Sequence, residues 1–185
     1  MAKGKLFVIS GASGVGKSTV LGKVMGTRKD LRFSVSATTR QPRPGEVDGE
    51  SYYFVSKETF LDMIDQQAFL EFDAHMDNYY GTPKAQLEEK LLSGSVILDI
   101  EPNGAFHVRE VKPDAVLIFI APPSLEELEN RLRGRGDTSE EQIRVRQARV
   151  AWEMEQSKRY DYVVINDQVE ACAEEILNII AREAD

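Results

Sequence analysis

Gly11-Ala12-Ser13-Gly14-Val15-Gly16-Lys17-Ser18 reads G-x-x-x-x-G-K-S. Residues of these types at this spacing bind phosphate. The glycines let consecutive backbone N–H groups turn inward without a Cβ clash, and a helix starting there adds its partial positive charge. Lys17 then reaches the β- and γ-phosphates of a nucleoside triphosphate, and the Ser18 hydroxyl reaches a Mg²⁺ ion. A glycine-rich turn with no ligand would account for the glycines but not for Lys17-Ser18 beside them.

Three further groups have chemical potential. Asp99 ends the apolar run Val96-Ile97-Leu98, the Walker B layout, whose carboxylate positions the metal of a bound nucleotide. Arg40 and Arg43 stand three apart in a Pro/Gly loop, near Tyr52 and Tyr80 in sequence. That set suits a bidentate clamp on a second phosphate. Arginines are dense from Arg131 to Arg149, and the Arg133-Gly134-Arg135-Gly136 stretch suits a lid. Such a lid brings cations to the charge that develops in phosphoryl transfer and keeps water out. Arg133 and Arg144 read more simply as a solvated face.

The elements that must position these groups follow from the apolar pattern. Leu6 to Ser10, Val96 to Ile100, Val116 to Ile120 and Tyr162 to Asn166 are continuous apolar runs alternating with helical stretches. That alternation predicts an α/β fold, a parallel sheet covered by helices on both faces. Residues 35 to 82 break the rhythm. A strand at Phe33 to Arg40 leaves the core, followed by strands at Tyr52 to Val55 and Phe69 to Ala74, a helix opening at Ser56, and turn chemistry at Asn78 to Pro83. This segment reads as a mixed β insertion beside the core. Glu140 to Ser157 and Val169 to Ala184 read as helices, as does the stretch opening at Ser124.

Composition sets the bounds. The 185 residues are 42% hydrophobic and 29% charged, which fits one globular domain. A net charge of -8 argues against nucleic acid as a partner. No apolar run approaches a membrane span. Cys172 is the lone cysteine, and Met1-Ala2-Lys3-Gly4-Lys5 leads straight into the first strand, so the expected compartment is the cytoplasm.

Taken in order, Gly11 to Thr19, Ser36 to Glu46, Asp48-Gly49, Tyr52-Tyr53-Phe54, Phe69-Leu70-Glu71, Asn78 to Thr82, Ile97 to Ile100 and Phe119 to Ser124 resemble the guanylate kinase family, over about residues 4 to 182. The resemblance implies a P-loop NTPase-type core at 4–34 and 83–182, a GMP-binding insertion at about 35–82 and a helical lid at about 130–150. It implies transfer of the γ-phosphoryl of ATP to GMP, and to dGMP, with Mg²⁺ accompanying ATP. By position, Ser36, Arg40, Arg43, Tyr52, Glu71, Tyr80, Thr82 and Asp99 match the GMP site. Gly11, Ala12, Ser13, Gly14, Val15, Gly16, Lys17, Ser18, Thr19 and Asn166 match the ATP site. Lys17, Arg135 and Arg146 match the catalytic cations, and Ser18 and Asp99 the metal site. Glu71 suits its role physically: guanine offers N1–H and N2–H₂ as neighbouring donors, and one carboxylate accepts both.

The chain departs from the family pattern in two places. Glu101-Pro102-Asn103-Gly104 stands where Asp-Val-Gln-Gly is usual, which is expected to alter the geometry of the GMP site. Asp77 stands where Gly is common, with little expected effect because Asp tolerates φ > 0. His75 and His107 read as non-catalytic. Two other readings share much of this pattern: a guanylate-kinase-like GMP-binding interaction module, and a same-fold kinase for another phosphorylated acceptor. The residues leave oligomeric state open.

Overall fold

The structure, a computed structural model, describes residues 4–75, 77–124, 126 and 140–184; the side chains of residues 75 and 140–147 lie outside that description. The chain begins with β1 (Leu6–Gly11), α1 (Lys17–Thr27), β2 (Arg32–Phe33), β3 (Ala37–Thr38) and β4 (Tyr53–Phe54). It continues through α2 (Lys57–Asp65), β5 (Phe69–His75), β6 (Asn78–Pro83), α3 (Lys84–Ser93) and β7 (Val96–Asp99). It then forms α4 (Pro102–Val111), β8 (Val116–Ala121), α5 (Glu140–Gln156), a 3-10 turn (Ser157–Arg159), β9 (Tyr162–Ile165) and α6 (Val169–Ala184).

The four long apolar runs, with the short β2 at one side, become a five-stranded parallel sheet of order β2-β7-β1-β8-β9. β1 and β8 are buried along their whole length. Such strands have no solvent face, so both faces must be covered by other elements. α1 packs against α6, through buried Val20, Leu21 and Val24 on one helix and Cys172, Ala173, Ile176 and Ile180 on the other. The register matters for chemistry. Ile9 of β1 faces Asp99 of β7 on one side and Ile118 of β8 on the other. The carboxyl ends of the central strands therefore share one edge, where open parallel sheets bind ligands.

A second, four-stranded sheet has order β4-β3-β6-β5. β3 and β4 run parallel, and the other two pairs run antiparallel. It has its own core of Ala37, Phe60 and Phe69, with the Phe60 ring stacked on Phe69 at 4.4 Å and on Tyr79 at 5.4 Å. Ser56 caps α2 as its sequence indicates, accepting the Thr59 N–H at 3.0 Å.

The structure corrects two local readings. Asn78–Pro83 is strand β6, not a turn; the turn lies just before it, with Asp77 at φ 63°. Tyr79 and Tyr80 are good strand residues once β5 supplies a partner for them. The run from Phe33 to Arg40 is not one strand but two short ones, β2 joining the parallel sheet and β3 joining the second sheet. Pro102 is the first residue of α4, where a missing N–H costs nothing. The helix opening at Ser124 and the lid around Arg133 to Gly136 fall largely outside the described residues. Among those described, no helix is long and apolar enough to cross a membrane.

Candidate active site

Residues 11–16 turn sharply between β1 and α1. Gly14 has φ 83° and Gly16 φ 92°, left-handed values that exclude most side chains. Ala12 N–H donates to the Ile120 carbonyl at 3.1 Å, anchoring the turn to β8. Asn166, just beyond β9, donates from Nδ2 to the Val15 carbonyl at 2.7 Å and is itself 3% exposed. A Cβ on Gly16 would approach that amide nitrogen to 3.0 Å. Asn166 is thus packed under the loop and braces it. α1 starts at Lys17 with no acidic residue in its first turn, so its amino end keeps its positive field for a ligand.

Lys17 forms an ion pair with Asp99. Burial works to lower the Lys17 pKa, but Asp99 and then Glu101 outweigh it and the net shift is upward. The amine stays charged. Ser18 and Thr19 follow on the exposed start of α1.

Between the two sheets lies a cavity of about 280 Å³. Lys17 and Asp99 line its core side; Ser36, Arg40, Arg43, Tyr52, Glu71 and Tyr80 line the side of the second sheet. Residues drawn from Lys17 to Arg149 in sequence thus meet around one space. Arg40 is held ready: its Nη1 and Nη2 donate to the two Glu46 carboxylate oxygens at 2.9 and 2.8 Å, and its guanidinium sits 5.4 Å from the Tyr52 ring centroid. Glu46 also accepts the Arg43 backbone N–H at 2.7 Å. The Arg40 guanidinium, with that N–H, holds the Glu46 carboxyl down to about 2.

Glu71 sits where β5 bulges. Phe69 faces Pro83 and Phe72 faces Gly81, so Leu70 and Glu71 together oppose Thr82. A bulge re-aims a side chain, and here it turns Glu71 inward, 5% exposed. Thr82 Oγ1 donates to Glu71 Oε1 at 2.5 Å. Burial pushes the Glu71 carboxyl up to about 6, against the Thr82 bond, which lowers it. Its second oxygen lies against Gly104 of α4, where a Cβ would come within 2.7 Å.

Asp73 and Glu153 lie outside every sequence motif; Glu46, Gly104 and Arg149 fall within stretches the sequence marks, but with no role assigned to them. Asp73 and Arg149 line the cavity. The Arg149–Glu153 pair is an i,i+4 ion pair, a helical spacing visible in sequence, though its partners elsewhere are not. Arg135 lies outside the described residues, and Arg146 lies on α5 with its side chain likewise outside.

A cation-lined loop that holds one phosphate, facing a cavity with an arginine pair and a buried carboxylate, can hold two phosphorylated molecules end to end. Comparison with known proteins agrees. The family model described as guanylate kinase matches residues 3–183. The chain is 48% identical to the guanylate kinase of Clostridioides difficile over 182 residues, covering 98% of this chain and 89% of that one. It is 50% identical to that of Lactiplantibacillus plantarum over 186 residues, covering 99% and 90%. The crystal structure of guanylate kinase from Anaplasma phagocytophilum superposes with a TM-score of 0.81 at 34% identity, covering 99% of this chain and 87% of that one.

Proposed function

This chain belongs to the guanylate kinase family and transfers the γ-phosphoryl of ATP to GMP, giving ADP and GDP; on that premise we propose the following roles for its residues. The core at 4–34 and 83–182 carries ATP on the loop of residues 11–19. The insertion at about 35–82 carries GMP in the 280 Å³ cavity. The lid lies at about 130–150. Arg40, Arg43, Tyr52 and Tyr80 hold the GMP phosphate, and Glu71 accepts guanine N1–H and N2–H₂. Ser36, Thr82 and Asp99 complete that site. Asn166 serves ATP by bracing the loop from below.

A GMP phosphate oxygen attacks the γ-phosphorus, the bond from that phosphorus to the β–γ bridging oxygen breaks, and ADP carries away the electron pair. The attacking phosphate is already anionic, so no general base is required. Lys17 stays on the β- and γ-phosphates, while Arg135 and Arg146 meet the charge spread over the transferring oxygens. Ser18 and Asp99 offer hard oxygen donors of the kind Mg²⁺ takes, and would hold it; when bound it neutralises charge on the β- and γ-oxygens. dGMP is the second acceptor, since none of these contacts needs the 2′-hydroxyl.

The observation that carries the acceptor assignment is the inward-turned Glu71, bonded to Thr82 and facing the cavity that Arg40 and Arg43 also line. Adenine has an acceptor at N1 and no 2-amino group, so it would leave that carboxylate unpaired. The test is ADP release with ATP and Mg²⁺, offering GMP, AMP, UMP and CMP separately. Turnover with GMP and not with the others is expected. Equal ADP release with and without acceptor would overturn the reading.

A further inference from the structure

Arg149 faces the acceptor cavity yet belongs to α5, and the roles above leave it unused. Its guanidinium spans two carboxylates. Nη2 donates to Glu101 Oε2 at 2.9 Å, and Nε donates to Glu153 Oε1 at 2.8 Å. Glu101 is a wall of the GMP cavity and the N-cap of α4. The Glu153 side chain is 1% exposed. Its other oxygen accepts the Ser13 backbone N–H at 2.7 Å, inside the phosphate-binding loop. A single cation thus joins a carboxylate of the acceptor side to one that grips the donor loop.

Each carboxylate borders a place where phosphate must arrive. Like charges brought together in a poorly hydrated site repel strongly. The family-atypical Glu101 is one methylene longer than Asp, and that length meets Arg149. We propose that Arg149 is a positioning residue that couples the two substrate sites: it neutralises Glu101 toward GMP and Glu153 toward ATP, and keeps Glu153 where it fixes the Ser13 N–H. The inference rests on GMP occupying the cavity and ATP the loop.

Arg149→Met strips the cation from both carboxylates at once. A second substitution then tells the sides apart. Steady-state kcat and both KM values are measured for wild type, R149M, R149M/E101Q, R149M/E153Q, R149K, R149K/E101Q and R149K/E153Q, with a thermal melt of each. R149M is expected to raise both KM values about tenfold. Adding Glu101→Gln returns the GMP value toward wild type and leaves ATP high. Adding Glu153→Gln does the reverse, since the glutamine carbonyl still accepts from Ser13. A lysine cannot span both carboxylates, so R149K raises one KM, relieved by the matching second substitution; this arm decides the matter if R149M does not fold. Unchanged KM values in R149M and R149K, or a loss relieved by neither second substitution, would overturn the proposal, whatever the melts show. Crossed relief, with Glu101→Gln restoring ATP, would overturn it as well. If wild type fails to turn over GMP, the broader reading of the site fails instead.

Discussion

Lys17, the first residue of α1, and Asp99, the last residue of β7, are joined in an ion pair at the edge of the parallel sheet. β1 and β7 lie side by side with Ile9 opposite Asp99, so the phosphate loop that follows β1 delivers its lysine onto the carboxylate at the end of the neighbouring strand. The pair orients Lys17 and keeps it protonated before phosphate arrives.

Both members should therefore be indispensable to transfer. K17M and D99N are each expected to lower kcat/KM by about 100-fold or more, the scale of losing one preorganised electrostatic group. Far-ultraviolet circular dichroism should stay unchanged, because neither side chain belongs to the core. Near-wild-type kcat/KM in either variant would remove that residue from the mechanism.

Glu71 links activity to pH. Its carboxyl titrates at about 6, and only the ionised form accepts from both guanine donors. KM for GMP should rise about tenfold per pH unit below that value. The GMP phosphate titrates nearby, so the diagnostic quantity is the ratio of wild type to E71Q across pH, which cancels the shared phosphate ionisation. A flat ratio would dissociate Glu71 from guanine.

The same shift has a stability consequence. The folded carboxyl binds its proton more tightly than an ordinary glutamate, whose value is 4.5, so stability is lost as pH rises from 4.5 to about 6 and then levels off. A shift of that size corresponds to about 2 kcal/mol. E71Q should be more stable than wild type at pH 7.5 by up to that amount, with the gap closing toward pH 4.5. Denaturant melts at the two pH values check the sign.

Glu46 touches Arg40 twice and the Arg43 N–H once, so it sets the clamp before GMP enters. E46A should raise KM for GMP about tenfold while KM for ATP stays fixed, because a loosened clamp pays its ordering cost on binding. R40A, which removes the phosphate contact itself, should cost on the order of 100-fold in the same constant. Equal changes in both substrates' KM values for E46A would mean a general loosening of the fold.

Gly104 lies in α4 with a Glu71 oxygen in the space a methyl would take. The obstacle is the tip of a flexible side chain, and alanine is the better helix former. G104A should thus leave the melting temperature level or raised while KM for GMP rises about tenfold or more, since a displaced carboxylate misses the guanine donors. A lowered melting temperature with unaltered KM would show that the glycine serves packing.

Much of this was legible without a structure. The phosphate loop is a contiguous spacing whose geometry follows from its glycines, and Gly14 and Gly16 hold the left-handed angles it requires. The buried parallel strands announce themselves as apolar runs because a strand covered on both faces has no polar side to show. Ser56 signals its helix by type and position. Each of these is a local rule, read within a few residues.

Tertiary structure alone decided what depends on partners distant in sequence. Asn78–Pro83 looks like a turn by composition and is a strand because β5 and β3 pair with it. The Glu71 orientation comes from a one-residue surplus in β5 opposite Thr82, a count that exists only once the strands are aligned. The Arg149 bridge joins α5 to Glu101, 48 residues away in sequence, and through Glu153 to Ser13, 140 residues away. Residue type and spacing declare which chemistry a chain carries. Which charges neutralise one another is fixed by the register and packing that bring them within hydrogen-bond reach.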